Sequence, residues 1–231
     1  MLGELKERVL RANLRLVEEG LVTLTWGNAS ERDPETGLVA IKPSGVPYAE
    51  LAADDMVLLD LDGRTVEGRR SPSSDTPTHL AIYRAFAGVM GVVHTHSVEA
   101  VAWAQAGREI PCLGTTHADQ FRGAVPLTRQ LTQEEVESAY ELNTGVAIVE
   151  RFDGSDPLER PGVLVPGHGP FTWGKSAAKA VDGAVALEAI ARMARLTEQL
   201  AGAGSAPALP DYVAWKHYSR KHGPNAYYGQ R

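Results

Sequence analysis

Cysteine is almost absent from this chain. Cys112 is the only one, which excludes an intrachain disulfide and any cluster of thiolates around a metal. A metal in this protein would have to be held by histidine and carboxylate, and a reducing cytoplasm is the expected compartment. Long apolar runs are absent too, since no stretch approaches the roughly 18 to 20 apolar residues that cross a bilayer. The N-terminal stretch does not read as a signal peptide, because Glu4, Lys6, Glu7, Arg8 and Arg11 interrupt any apolar segment. Positive charge is not in excess. The formal net charge of -6 argues against nucleic acid or an anionic membrane surface as a general partner.

What is present suits a globular domain. Hydrophobic residues make up 43% and charged residues 23% of 231 residues, enough to bury a core. Leu5, Val9, Ala12 and Leu16 recur at helical spacing, with Gly20 as the stop. Leu21 to Trp26 reads as a strand, ended by Gly27-Asn28, and Val39 to Lys42 as a second one, broken by Pro43-Ser44-Gly45. Met56 to Leu61 and Arg64 to Glu67 flank Asp62-Gly63, a hairpin signal. A helix is expected near Pro77, and Gly91-Val92-Val93 reads as a buried strand followed by a helix over Ser97 to Gln105.

Further along, Thr132 with Glu135 is a capping-box pattern opening another helix. Gly162 to Val165 is a strand with a glycine-rich turn after it. Val181, Val185, Ala189, Met193, Leu196 and Leu200 form an apolar stripe on a long helix. Ala201 to Pro210 reads as a linker, followed by a basic, aromatic tail helix. Hairpins and helical connections alternate irregularly, so a mixed α/β or α+β fold is expected rather than a doubly wound parallel sheet. Trp26, Trp103 and Trp173 are expected in the core, and His79 and His117 are expected to make structural hydrogen bonds.

Two sets of residues carry chemistry. His94-Thr95-His96 places two imidazoles at positions i and i+2, which share a face on a strand. A third, His168, lies in Gly167-His168-Gly169-Pro170, where the glycines let the backbone bring the ring close. Three imidazoles with a carboxylate or an open position suit Zn²⁺ acting as a Lewis acid, and manganese or cobalt would accept the same donors. The second set is three small polar turns, Gly27-Asn28, Ser44-Gly45 and Ser73-Ser74. Each offers backbone N–H groups beside a hydroxyl or amide, and Lys42 adds a positive charge.

These motifs occur in a recognisable order. Thr25-Trp26-Gly27-Asn28, Lys42-Pro43-Ser44-Gly45, Pro72-Ser73-Ser74-Asp75-Thr76-Pro77-Thr78-His79 and His94-Thr95-His96 come first. Gly114-Thr115-Thr116-His117-Ala118-Asp119, Gly167-His168-Gly169-Pro170, Lys221-His222-Gly223 and Ala226-Tyr227-Tyr228-Gly229-Gln230 follow. Together they resemble the L-ribulose-5-phosphate 4-epimerases of the class II aldolase/adducin superfamily, from the first helix to the last residues.

The resemblance implies a mixed, three-layer α/β fold with a central, largely antiparallel sheet flanked by helices. It implies a catalytic domain over residues 1–200 and, over 201–231, a linker and tail helix that contribute to a neighbouring active site in a homotetramer. It makes Asp75, His94, His96 and His168 ligands of one zinc ion per subunit. Gly27, Asn28, Ser44, Gly45, Ser73 and Ser74 become substrate-binding turns, and Asp119 and Tyr228 the acid/base pair. Lys42, Thr115, His217 and Arg220 are further candidates for substrate binding; His217 and Arg220 lie three apart on the tail helix, hence on one face.

The implied substrate is a phosphorylated pentulose. Its C4 carries no acidic C–H next to a carbonyl, so direct deprotonation is unpromising. Breaking C3–C4 and re-adding the fragments after the aldehyde turns over would invert that carbon, with proton handlers on opposite faces. Two rivals remain open at this point: a ketose-phosphate aldolase of the same superfamily, and a non-catalytic oligomeric module like the adducin heads. The related aldolases carry a glutamate base where this chain has Asp75, and the adducin heads lack the histidines.

Overall fold

The structure, a computed structural model, describes residues 2–228; Gly229 and Gln230 of the last motif lie outside it. Seven strands form one sheet: β1 (Asn28–Arg32), β2 (Val39–Ile41), β3 (Val57–Leu59), β4 (Thr65–Glu67), β5 (Gly91–His94), β6 (Gly162–Val165) and β7 (Gly169–Gly174). Their order across the sheet is β4-β3-β2-β1-β5-β7-β6, and every neighbouring pair is antiparallel. The expected hairpin across Asp62-Gly63 is the β3–β4 pair.

The described residues form seven α-helices: α1 (Leu2–Glu18), α2 (Thr76–Ala85), α3 (Val98–Gln105), α4 (Thr115–Ala118), α5 (Gln133–Arg151), α6 (Ala177–Ala201) and α7 (Asp211–His222); α7 packs on α4. Strand alternation sorts the core into two faces. Val92, Val163, Val165, Phe171 and Trp173 pack with Leu80, Ile82 and Tyr83 of α2 and Ile148 of α5. The alternate residues Ala29 and Val93 pack with Ala12 and Leu16 of α1 and Ala180, Val181 and Ala184 of α6. Leu164 faces α3 and α6. The result is three layers, helices on both faces of an antiparallel sheet, as the resemblance implied. The capping box that opens α5 is formed, with the Glu135 backbone N–H donating to Thr132 Oγ1 at 3.2 Å.

Three expectations fail. Leu21 to Trp26 is not a strand: the Trp26 N–H closes a turn onto the Thr23 carbonyl, and Leu24 takes a positive φ of 54°. Only Leu21 is buried there, while Leu24 is 74% and Trp26 50% exposed. The segment crosses the end of the sheet instead of entering it, so its β-forming side chains find no pleated surface to fit. Trp26 therefore is not a core residue, whereas Trp103 and Trp173 are. On α6 the expected apolar stripe holds at its start, where Val181 is buried and Val185 packs against the core, and fails beyond it. Met193, Leu196 and Leu200 are exposed, and the buried line runs through Ala180, Ala184, Leu187, Ile190 and Ala194. Alanines face the sheet at the start of the helix, where it lies close upon β5 and β7, while Leu187 and Ile190 pack with Leu164 further along.

Candidate metal centre and active site

His94 ends β5, His96 follows two residues later, and His168 sits in the turn between β6 and β7. One ring nitrogen from each lies within 4.8 Å of the others. The turn is shaped by close approach: a Cβ on Gly169 would lie 2.8 Å from the Thr95 carbonyl oxygen. His94 Nδ1 lies 3.0 Å from the Pro170 carbonyl oxygen, a contact that requires the proton on Nδ1 and leaves the Nε2 lone pair free. That Nε2 faces His96 Nε2 at 3.0 Å.

Burial pushes the His94 ring down to about 3, against the opposing pull of Asp75. Burial also lowers His96, and burial together with His96 lowers His168. All three are thus neutral at pH 7, the form that ligates metals. Three imidazoles whose nitrogens converge this closely are a donor set that fits a divalent ion such as Zn²⁺; with the His96 proton on Nδ1, its Nε2 lone pair and that of His94 would both be open to the ion.

Asp75 precedes α2 and lines the same cavity. Burial alone would raise its carboxyl. The His94, His79 and His168 imidazoles and the Asn28 amide outweigh this and hold it below its ordinary value. Asn28 Nδ2 donates to Asp75 Oδ2 at 2.7 Å and to Ser73 Oγ at 3.1 Å. The group of converging donors is the three imidazoles, with Asp75 beside them.

The cavity, about 400 Å³, joins these groups to the three small polar turns. Gly27, Asn28, Lys42, Ser44, Gly45, Ser73 and Ser74 all line it. The turns are tied together by backbone bonds, Ser73 N–H to the Lys42 carbonyl and Ser44 N–H to the Ser71 carbonyl, both 3.0 Å. Gly27 has a φ of 96°, and a Cβ there would lie 2.9 Å from the His94 carbonyl oxygen, so only glycine brings this turn against the histidine strand. Lys42 is 2% exposed. Its ammonium donates to the Pro43 carbonyl at 3.3 Å and lies over the Tyr48 ring, and no carboxylate pairs with it among the described residues. Burial lowers its pKa. A buried ammonium with no carboxylate partner, beside the side chains of Ser44, Ser73 and Ser74, is chemically suited to receive an anion. Asn28 Oδ1 is buried and has no donor among the described residues.

The other candidates gather elsewhere. Asp119 ends the short α4 that begins at Thr115. Its carboxylate accepts from Arg220 Nε at 3.1 Å and Nη2 at 2.8 Å, and His217 Nδ1 lies 3.2 Å away. The Arg220 guanidinium in turn stacks 4.5 Å from the centre of the Tyr228 ring. Burial works against the Asp119 charge, but Arg220 and His217 prevail and keep its carboxyl below the ordinary range. None of Thr115, Asp119, His217, Arg220 and Tyr228 lines the histidine cavity within one chain. The structure therefore brings the site residues together as two constellations.

Five lining residues are not among the site residues expected from the sequence: Thr25, Trp26, Pro43, Tyr140 and Glu141. Trp26 sets its ring 6.1 Å from that of His96, while Tyr140 and Glu141 enter the cavity from α5. Trp26 was visible as part of a motif but read as core; nothing in the pattern around Tyr140 distinguishes it from an ordinary helical residue. His79 and His117 do make structural hydrogen bonds, to Ser30 Oγ at 2.8 Å and to the Gly123 carbonyl at 2.7 Å.

Residues 7–195 match the family model of the class II aldolase and adducin N-terminal domain. An L-ribulose-5-phosphate 4-epimerase, UlaF, from Salmonella paratyphi B is 56% identical over 231 residues, spanning 99% of both chains. The corresponding protein of Salmonella typhi is 56% identical over 228 residues, again with 99% of each chain covered. Among solved structures, an L-fuculose 1-phosphate aldolase superposes with a TM-score of 0.79 at 26% identity, covering 94% of this chain and 95% of its own. The fold, the ordered motifs and this similarity place the chain in the class II aldolase/adducin superfamily, on its L-ribulose-5-phosphate 4-epimerase branch.

Proposed function

We propose that this chain interconverts L-ribulose 5-phosphate and D-xylulose 5-phosphate by breaking and remaking the C3–C4 bond. The observation that carries the reading is that three neutral imidazoles and the Lys42 ammonium, which has no carboxylate partner among the described residues, share one cavity. The retained histidines speak against an adducin-like module. Asp75, shorter than the glutamate base of the related aldolases, favours epimerase over aldolase, as does the similarity to the Salmonella epimerases.

A zinc ion held by His94, His96 and His168, with Asp75 as a further donor, would supply Lewis acidity toward the C2 and C3 oxygens. Lys42, Asn28, Ser44, Gly45, Ser73 and Ser74 grip the phosphate and so retain the aldehyde fragment while its carbonyl turns over. Asp119 and Tyr228 handle the C4 hydroxyl proton from opposite faces, one accepting it as the bond breaks and the other donating on re-addition. Since these two stand apart from the histidine cavity in one chain, they reach it from a neighbour in a homotetramer. Arg220 and His217 orient Asp119, and Arg220 also orients Tyr228 by stacking. On this reading residues 201–231 serve the adjacent subunit.

Incubation with L-ribulose 5-phosphate, coupled to detection of D-xylulose 5-phosphate, tests the proposal. Product should form, vanish with a chelator and return with zinc. Net release of free aldehyde would select the aldolase instead, and a stable, metal-free, inactive oligomer the adducin-like module.

A further inference from the structure

Helix α5 is broken. Its backbone leaves helical geometry at Ala139 (φ -159°, ψ 74°), one residue before Tyr140. The break is furnished with partners: the Asn143 side-chain amide donates to the Glu135 carbonyl at 2.8 Å and to Ser138 Oγ at 3.3 Å, so a carbonyl at the break is not left bare. The segment after the break is then fixed against α2. A Cβ on Gly145 would lie 2.6 Å from Ala81 Cβ, and Thr78 Oγ1 donates to the Glu141 carbonyl at 2.5 Å. Thus the helix that follows Asp75 also holds the stretch that carries Tyr140. The Tyr140 hydroxyl lies 3.2 Å from His168 Nδ1, the only hydrogen bond to that ring among the described residues.

We infer that Tyr140 is a positioning residue for the metal centre, its hydroxyl accepting the His168 Nδ1–H bond and so presenting Nε2 to the cation. The inference rests on the reading of His94, His96 and His168 as metal ligands. A neutral imidazole has one proton, and fixing it on Nδ1 leaves the lone pair on Nε2. For His94 the Pro170 carbonyl does this from within the sheet. His168 stands in a turn, where no strand neighbour offers a carbonyl, and the broken helix delivers a phenol in its place. Loss of such a partner to a ligating histidine lowers metal affinity by about 10- to 100-fold.

The test measures zinc affinity by competition with a chromogenic chelator for the wild-type chain, Tyr140→Phe, Tyr140→Leu and His168→Ala, together with the visible spectrum of the Co²⁺ forms. The expected result is that Phe and Leu weaken zinc to a similar extent, about 10- to 100-fold. Both should alter the Co²⁺ band, while the metal-free melting temperature of the Phe variant stays at the wild-type value. Wild-type affinity and spectrum for Tyr140→Phe, with only Leu impaired, would assign the residue to ring packing and overturn the inference while the metal reading stands. If the wild-type chain takes up no zinc, or His168→Ala binds as tightly as wild type, the metal reading itself falls and this inference with it.

Discussion

At the scale of single residues, Asp119 is a carboxylate held from several directions outside the histidine cavity. Two nitrogens of Arg220 and one of His217 converge on it, and such charge-assisted bonds fix direction as well as charge. A proton acceptor needs that fixed direction, because proton transfer depends on hydrogen-bond reach. Replacing Asp119 with Asn, or Tyr228 with Phe, should cut kcat by about 10²- to 10⁴-fold while zinc content per chain is unchanged. A coupled assay together with metal analysis reads both quantities. Full turnover in either variant would remove that residue from the scheme.

At the scale of elements, the pairing of α2 with α5 positions groups on two sides of the histidines. Gly145 allows it. Replacement by Ala would gain about 1 kcal/mol of helix propensity, but the new Cβ would sit 2.6 Å from Ala81 Cβ. Overpacking of this kind costs roughly 1 to 3 kcal/mol, so the clash outweighs the propensity. Gly145→Ala should therefore lower the urea midpoint. Because the displaced segment carries Tyr140, zinc affinity should fall as well. A variant more stable than wild type would show that the helices can separate without strain.

At the scale of the whole molecule, two constellations on one chain require a second copy if they form one site. His94→Asn and Asp119→Asn should each be inactive alone. Mixed oligomers assembled from both should regain activity at about a quarter of the sites, those that pair an intact histidine set with an intact Asp119 across an interface. No recovery on mixing would place both constellations in a single subunit's site. The whole molecule also stores a pH dependence. Burial pushes His79 and His117 down to about 4 each and His94 to about 3. These lie below the ordinary imidazole value of 6.5, so on acidification the unfolded chain binds protons that the folded one refuses. Stability of the metal-free protein should be full above pH 6.5 and should fall as the pH drops toward 4. The slope is up to about 1.4 kcal/mol per pH unit for each histidine. Urea midpoints across that window check it, and a flat profile would mean these rings are not buried neutral.

Local signals were sufficient wherever local physics decides. The stripe of Leu5, Val9, Ala12 and Leu16, the Thr132 cap, the Asp62-Gly63 turn and the buried Gly91-Val92-Val93 run each appear as read, because spacing and capping act over a few residues. The histidines and the small polar turns were legible as types, since metals and anions demand those donors. What sequence pattern could not decide was placement. Leu21 to Trp26 has the composition of a strand but meets the end of the sheet. The buried line of α6 is set by how closely the helix lies on β5 and β7, not by its largest side chains. Tyr140 reaches His168 only because α5 breaks at Ala139 and Gly145 lets its remainder lie against α2. Each of these depends on contacts between segments far apart in the chain, and such contacts exist only once the layers have packed.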